Sequence, residues 1–133
     1  MVRYVRVMDG ALKIVVADRS ELAANMYRLL LSELDAEIIV RRRFEEARPP
    51  LFRREPVALA IFNSNVFGKK FPEIVKHFVE DEPLRRVHKL FLCRESAAEN
   101  PWRERLAKLP NSTVIQRPFH PDEFLSLVRR ATS

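Results

Sequence analysis

The chain has 133 residues, a net charge of +6 and one cysteine, Cys93. That length suits one domain with a real core, and a lone cysteine excludes an internal disulfide or a zinc site built on paired thiolates. No apolar run approaches the ~20 residues that cross a bilayer, and residues 1–10 mix Arg3, Arg6 and Asp9 with short apolar pieces, so a cytoplasmic protein without a membrane partner is expected.

Leu12-Lys13-Ile14-Val15-Val16-Ala17 is predicted to be a buried strand rich in β-branched residues. A helix follows from near Ser20 to about Leu34, capped by Ser20 or Asp18, with Leu22, Met26, Leu29, Leu30 and Leu34 forming its inward apolar face. Glu37 to Val40 make a second strand. Arg41-Arg42-Arg43 at its end suits a sheet edge, where charge discourages pairing with other chains. Pro49 and Pro50 then limit the chain to a short helix over residues 44–47 or a turn over residues 51–54.

Val57 to Asn63 is apolar until its last residue, the pattern of a central parallel strand buried on both faces. Ligands of open parallel sheets bind beyond the carboxyl ends of the strands, so Asn63 is placed where chemistry or signalling would occur. A loop over residues 64–70 leads into a helix from about Phe71 to Val79 with Pro72 in its first turn, and Asp81-Glu82-Pro83 stops it. Lys89 to Cys93 form the fourth strand. Asn100-Pro101 opens a helix to about Leu109, Thr113 to Gln116 form the fifth strand, and a last helix opens around His120-Pro121-Asp122.

Strands alternating with helices predict an α/β fold, one doubly wound parallel sheet with helices on both faces. Gly10 and Gly68 are the only glycines, which sets aside nucleotide binding through glycine-rich loops. His77, His88 and His120 stand apart in sequence, and no metal-ligand cluster or cofactor is expected.

Three strand ends carry a resemblance: Val15-Val16-Ala17-Asp18 before a helix, Ile61-Phe62-Asn63 in mid-chain, and Gln116-Arg117-Pro118-Phe119 before the final helix. Together they resemble the receiver domains of bacterial two-component response regulators, in a match running from about Leu12 to Arg130 of a single receiver-like domain. The resemblance implies a flavodoxin-like five-stranded sheet of order 2-1-3-4-5 with an acidic pocket at its carboxyl edge. Active members hold Mg²⁺ on two acidic residues after the first strand and accept a phosphoryl group on an aspartate ending the third. A Thr or Ser ends their fourth strand, and a Lys precedes the proline of the fifth. Here those positions fall on Ala17 and Asp18, on Asn63, on Cys93 and on Arg117, and the aromatic residue usual in the fifth strand falls near Val114. The loop after Asn63 lacks the family's usual proline and places its glycine early. The resemblance also implies a cis Arg117-Pro118 peptide.

The departures have a chemistry of their own. Phosphoryl acceptance needs an anionic oxygen nucleophile and a hard cation, and the neutral amide of Asn63 supplies no such nucleophile. Asp18 beside Ala17 is a thin ligand set for Mg²⁺. Two readings of Asp18 stand side by side: a helix cap, or the ion-pair partner of Arg117 or, second, of Arg94. Cys93, Trp102 and Phe119 are expected to be packed residues rather than redox or base-stacking groups.

Three classes of function follow. The first is a non-phosphorylatable pseudo-receiver, not an enzyme, acting through a protein partner such as a sensor kinase, regulator or output protein of a two-component pathway or phosphorelay. Its partner face would be the fourth helix, fifth strand and fifth helix, carrying Arg103, Arg105, Lys108, Arg129 and Arg130, a charge that favours an acidic partner. A homodimer through the last helix stays open. The second is a nucleic-acid-binding domain using Arg41-Arg42-Arg43, Arg53-Arg54 and Lys69-Lys70, and the third is a receiver whose phosphoryl acceptance is residual or is restored by deamidation of Asn63.

Overall fold

The computed structural model describes residues 12–51, 56–94 and 100–133, with the side chains of residues 51, 100 and 101 outside that description. Strands β1 (Leu12–Ala17), β2 (Ala36–Arg41), β3 (Leu59–Asn63), β4 (Lys89–Arg94) and β5 (Ser112–Arg117) form one parallel sheet in the order β2-β1-β3-β4-β5. Between them run α1 (Ala23–Leu30), α2 (Phe44–Leu51), α3 (Phe71–Glu80), α4 (Glu82–Arg86) and α5 (Asn100–Ala107), and α6 (Pro121–Thr132) closes the chain. The doubly wound fold and strand order expected from the sequence are the ones observed.

Because successive residues of a strand point to opposite faces, each central strand feeds two cores. Val15, Ala17, Ala60, Phe62, Phe91 and Cys93 pack under α2, α3, α4 and α5, where Phe44, Phe78, Leu84 and Leu106 meet them. Ile14, Val16, Leu59, Ile61, Leu90 and Leu92 face the other way, onto Tyr27 of α1 and Phe124 and Val128 of α6. All five residues of β3 are buried.

Four sequence expectations need correction. Helix α1 spans Ala23–Leu30 rather than 20–34, and its buried face is rotated: Ala23, Tyr27 and Leu31 are buried, Leu30 and Leu34 pack half-buried beside them as expected, and Leu22, Met26 and Leu29 are 80%, 43% and 76% exposed. Both triplets have helical spacing, so periodicity could not choose between them. The tether of Tyr27 described below decides.

Helix α2 runs through Pro49 and Pro50 instead of stopping before them. Burial of Phe44 and Ala47, together with the Arg48–Asp81 pair at 2.6 Å, holds a segment that local propensity disfavours. Residues 52–55, which hold Arg53-Arg54 and most of the expected turn, lie outside the described residues. The loop after β3 contains two one-turn 3-10 helices, Ser64–Val66 and Gly68–Lys70, separated by buried Phe67, with Gly68 in the left-handed region at φ 56°. Pro83, expected only to end α3, also sits in the first turn of α4.

One buried charge belongs to this architecture. Lys89 opens β4 at 2% exposure, and its Nζ donates to the carbonyls of Leu84, Arg85 and Val87 at 2.8, 3.1 and 2.9 Å. These are carbonyls at the end of α4 that the helix itself cannot satisfy. Burial lowers this ammonium from 10.5 to about 8.

Candidate functional site

The carboxyl ends of β1 and β3 lie side by side, with Ala17 opposite Phe62 in register, which brings the next residues of the two strands, Asp18 and Asn63, together. Both are buried, at 2% and 1% exposure. Asn63 Nδ2 donates to Asp18 Oδ2 at 3.0 Å, and Tyr27 Oη donates to the same oxygen at 2.8 Å. Asn65 Nδ2 and the Ser20 backbone amide donate to Asp18 Oδ1 at 2.9 and 3.0 Å. Four neutral donors thus surround one carboxylate, which satisfies the rule that a buried charge survives only when hydrogen-bonded.

The network extends on both sides. Asn63 Oδ1 accepts from the Asn65 backbone amide at 3.1 Å and so caps the turn after β3, while Asn65 Oδ1 accepts from the Arg19 amide at 3.0 Å. The loops after β1 and β3 are therefore stitched together by two asparagines. Burial, then the adjacent Asp18 carboxylate, push the Tyr27 phenol well above its ordinary 10.0, against opposing effects of Asn63 and Arg117.

The expected ion pair is not formed. Asp18 takes its partners from Tyr27, Asn63, Asn65 and Ser20, and among the described residues neither Arg117 nor Arg94 bridges to it. Arg117 and Arg94 instead pair in register at the ends of β5 and β4. The Arg117 side chain lies close enough for its charge to favour ionisation of Tyr27, and its buried Nε has no hydrogen-bond partner among the described residues. The reason for the missing bridge is occupancy: neutral donors already fill both carboxylate oxygens. The helix-cap reading of Asp18 is met only in part, since Asp18 Oδ1 accepts the Ser20 amide while α1 itself begins after Leu22 without a side-chain cap.

The fold family implies Mg²⁺ at this edge, and the residues present do not fit it. Ala17 has no side-chain ligand, and each Asp18 oxygen already accepts two hydrogen bonds, so the one carboxylate is committed to neutral donors. No group of three or more His, Cys, Asp or Glu able to hold a metal occurs among the described residues.

The remaining predicted positions are placed as follows. Cys93 is buried in the core under α3 and α5, and Arg94 is exposed. The Arg117–Pro118 peptide is cis, and Phe119 stacks on Phe124 with centroids 5.2 Å apart. Val114 packs half-buried on the core that holds Phe91.

The basic residues of the expected partner face lie on the two helices that flank the edge strand β5 from opposite sides of the sheet. On α5, Arg103 donates to Gln116 of β5 and Arg105 lies 5.3 Å from the ring of Trp102, with Lys108 exposed just beyond. Arg129 of α6, on the opposite side of the sheet, bonds Glu33 near the end of α1 at 2.6 Å, with Arg130 exposed beside it. Sequence reasoning missed Tyr27 and Asn65 altogether. Their signal was faint: a tyrosine among leucines on α1, and a second asparagine two residues after the first.

No protein-family model and no curated protein matches the chain. Solved structures do match its fold. The chemotaxis response regulator CheY4 of Vibrio cholerae is 17% identical, with 91% of this chain and 98% of that chain covered at a TM-score of 0.69. The signal receiver domain of an HD domain-containing protein from Pseudomonas fluorescens Pf-5 is 18% identical, covering 92% and 87% at 0.71. A response regulator receiver domain protein from Clostridium thermocellum is 12% identical, covering 91% and 94% at 0.71. With its sheet order and its flanking helices, the chain has the fold of a response-regulator receiver domain.

Proposed function

We propose that the chain is a receiver-like signalling module that works by protein contact and is neither an enzyme nor a phosphoryl acceptor. The carrying observation is the bond from Asn63 Nδ2 to Asp18 Oδ2: the position where an acceptor carboxylate would stand is an amide acting as a donor. An amide nitrogen committed to a buried carboxylate presents no anionic oxygen for phosphoryl transfer. Nor does a second carboxylate stand beside Asp18 at the end of β1, where Ala17 precedes it.

Contact is supported by the surface. Leu22, Met26 and Leu29 form an apolar stripe at i, i+4 and i+7 on the outer side of α1, the spacing by which one helix docks on another. Arg103, Arg105 and Lys108 of α5 offer a separate basic face for an acidic partner such as a sensor kinase, regulator or output protein. No helix among the described residues is long and apolar enough to cross a membrane.

The test is affinity capture from the native cell with and without acetyl phosphate and Mg²⁺. The same partner should be retained equally under both conditions, and lost when Leu22 and Leu29 are replaced by glutamate or when the α5 cations are neutralised. Capture that depends on the phosphoryl donor would contradict the reading.

A further inference from the structure

An open cleft of about 700 Å³ lies beside the Asp18 network, lined by Arg19, Arg42, Arg43, Glu45, Glu46, Asn65, Val66 and Gly68. Its size is that of a small-molecule site. It sits where the loops after β1, β2 and β3 converge, at the carboxyl edge of the sheet and at the point where strand order reverses around β1, the place where open α/β sheets bind ligands.

With Arg19, Arg42 and Arg43 against Glu45 and Glu46, the lining keeps a small net positive charge and suits an anionic ligand. Three guanidinium groups from two loops border the cleft, and Lys69 and Lys70 follow Gly68 directly as exposed ammonium groups. The Arg19 guanidinium has no partner among the described residues, while its backbone is fixed at both ends: the amide donates to Asn65 and the carbonyl accepts from Arg42 Nε at 3.4 Å. Arg42 Nη1 reaches Glu21 at 3.0 Å and Arg43 Nε reaches Glu46 at 3.8 Å, each through exposed side chains. Exposed pairs of this kind contribute little and yield readily to a ligand that binds guanidinium groups bidentately.

Val66 is the only apolar side chain of the lining, and no aromatic ring is present to stack a base. Recognition must therefore come through the ligand's charged oxygens. Three guanidinium groups match the charge and oxygen count of two linked phosphates more nearly than those of one. We propose that this cleft binds a small molecule bearing a diphosphate group, held by Arg19, Arg42 and Arg43. Because Asn65 is shared with the Asp18 network, occupancy would tighten the loops after β1 and β3, the first of which leads into α1.

Isothermal titration of the intact chain with inorganic pyrophosphate, at ionic strength matched with sodium chloride, tests this. Saturable binding is expected at a dissociation constant of about 1 mM or tighter, weakened about ten-fold or more in the R19A/R42A/R43A variant and unchanged in K108A. Amide resonances of Arg19, Asn65 and Gly68 should shift together on titration. Parallel titrations with ADP and AMP distinguish the source: ADP tighter than pyrophosphate assigns a nucleotide tail, and equal affinities assign the free diphosphate. Absence of saturable binding, binding undiminished in the triple variant, or binding of duplex DNA with none of pyrophosphate would each overturn the proposal.

Discussion

Asn63 and Tyr27 donate to the same oxygen of Asp18, at 3.0 and 2.8 Å, so one carboxylate oxygen ties the end of β3 to the middle of α1. A helix on one face of the sheet and a strand in its centre are thereby held in a single register by a buried carboxylate that makes no ion pair among the described residues. The consequences can be measured.

Replacing Asn63 with aspartate would set two carboxylates in hydrogen-bonding contact. Like charges that close cannot both ionise cheaply, so the folded-state pKa of the pair rises above the unfolded value of about 3.9. The native state then binds the extra proton, and stability falls as pH rises from about 4 towards 7. N63D should lose roughly 2–4 kcal/mol relative to the native chain over that range, as read from urea midpoints, with the loss reduced by Mg²⁺. Equal pH profiles for the two proteins would show that the Asn63–Asp18 contact is not formed.

Tyr27→Phe removes one donor from a buried carboxylate and should cost about 1–3 kcal/mol. The alkaline limb of the stability curve gives a second reading. The Tyr27 pKa is raised in the folded chain, so above about pH 10 the unfolded chain ionises first and stability is lost as pH rises. Y27F should show a shallower loss there, which denaturation at a series of alkaline pH values would resolve.

Lys89 acts with the opposite sign. Its folded pKa is about 8 against 10.5 unfolded, so between those values the unfolded chain holds the extra proton and stability rises with pH. The gain should be on the order of 1–3 kcal/mol. Lys89→Met should remove that rise and cost a comparable amount at neutral pH, because the carbonyls of Leu84, Arg85 and Val87 lose their donor.

Helix α1 offers the sharpest contrast between neighbours. Leu22→Glu and Leu29→Glu should each change the urea midpoint by no more than about 0.5 kcal/mol, whereas Leu31→Ala should cost about 2–5 kcal/mol. Large losses at Leu22 or Leu29 would mean that the helix presents its leucine stripe to the sheet.

These sites also mark how far the sequence could be read. β1 and β3 were legible because parallel strands buried on both faces leave long apolar runs, and Asn63 stood out as the polar residue ending one of them. The rotation of α1 was not legible, since two apolar sets shared its period and the deciding contact was a phenol meeting a carboxylate nine residues earlier. Nor was the passage of α2 through Pro49 and Pro50, which depends on Arg48 reaching Asp81 across the fold. The site was half legible: Asp18 and Asn63 could be named from strand ends, but the choice of partner could not. A helix cap and an arginine partner were both open for Asp18 from the sequence, and only the three-dimensional placement of Tyr27 and Asn65 shows the carboxylate already filled.

Intact-mass measurement after incubation with acetyl phosphate and Mg²⁺ tests the central claim most directly, with the chain aged at alkaline pH run alongside to reveal deamidation at Asn63. An unchanged mass for the fresh chain is predicted, together with phosphoryl gain in N63D at most. A stable increase by one phosphoryl group in the fresh, undeamidated chain would contradict the account.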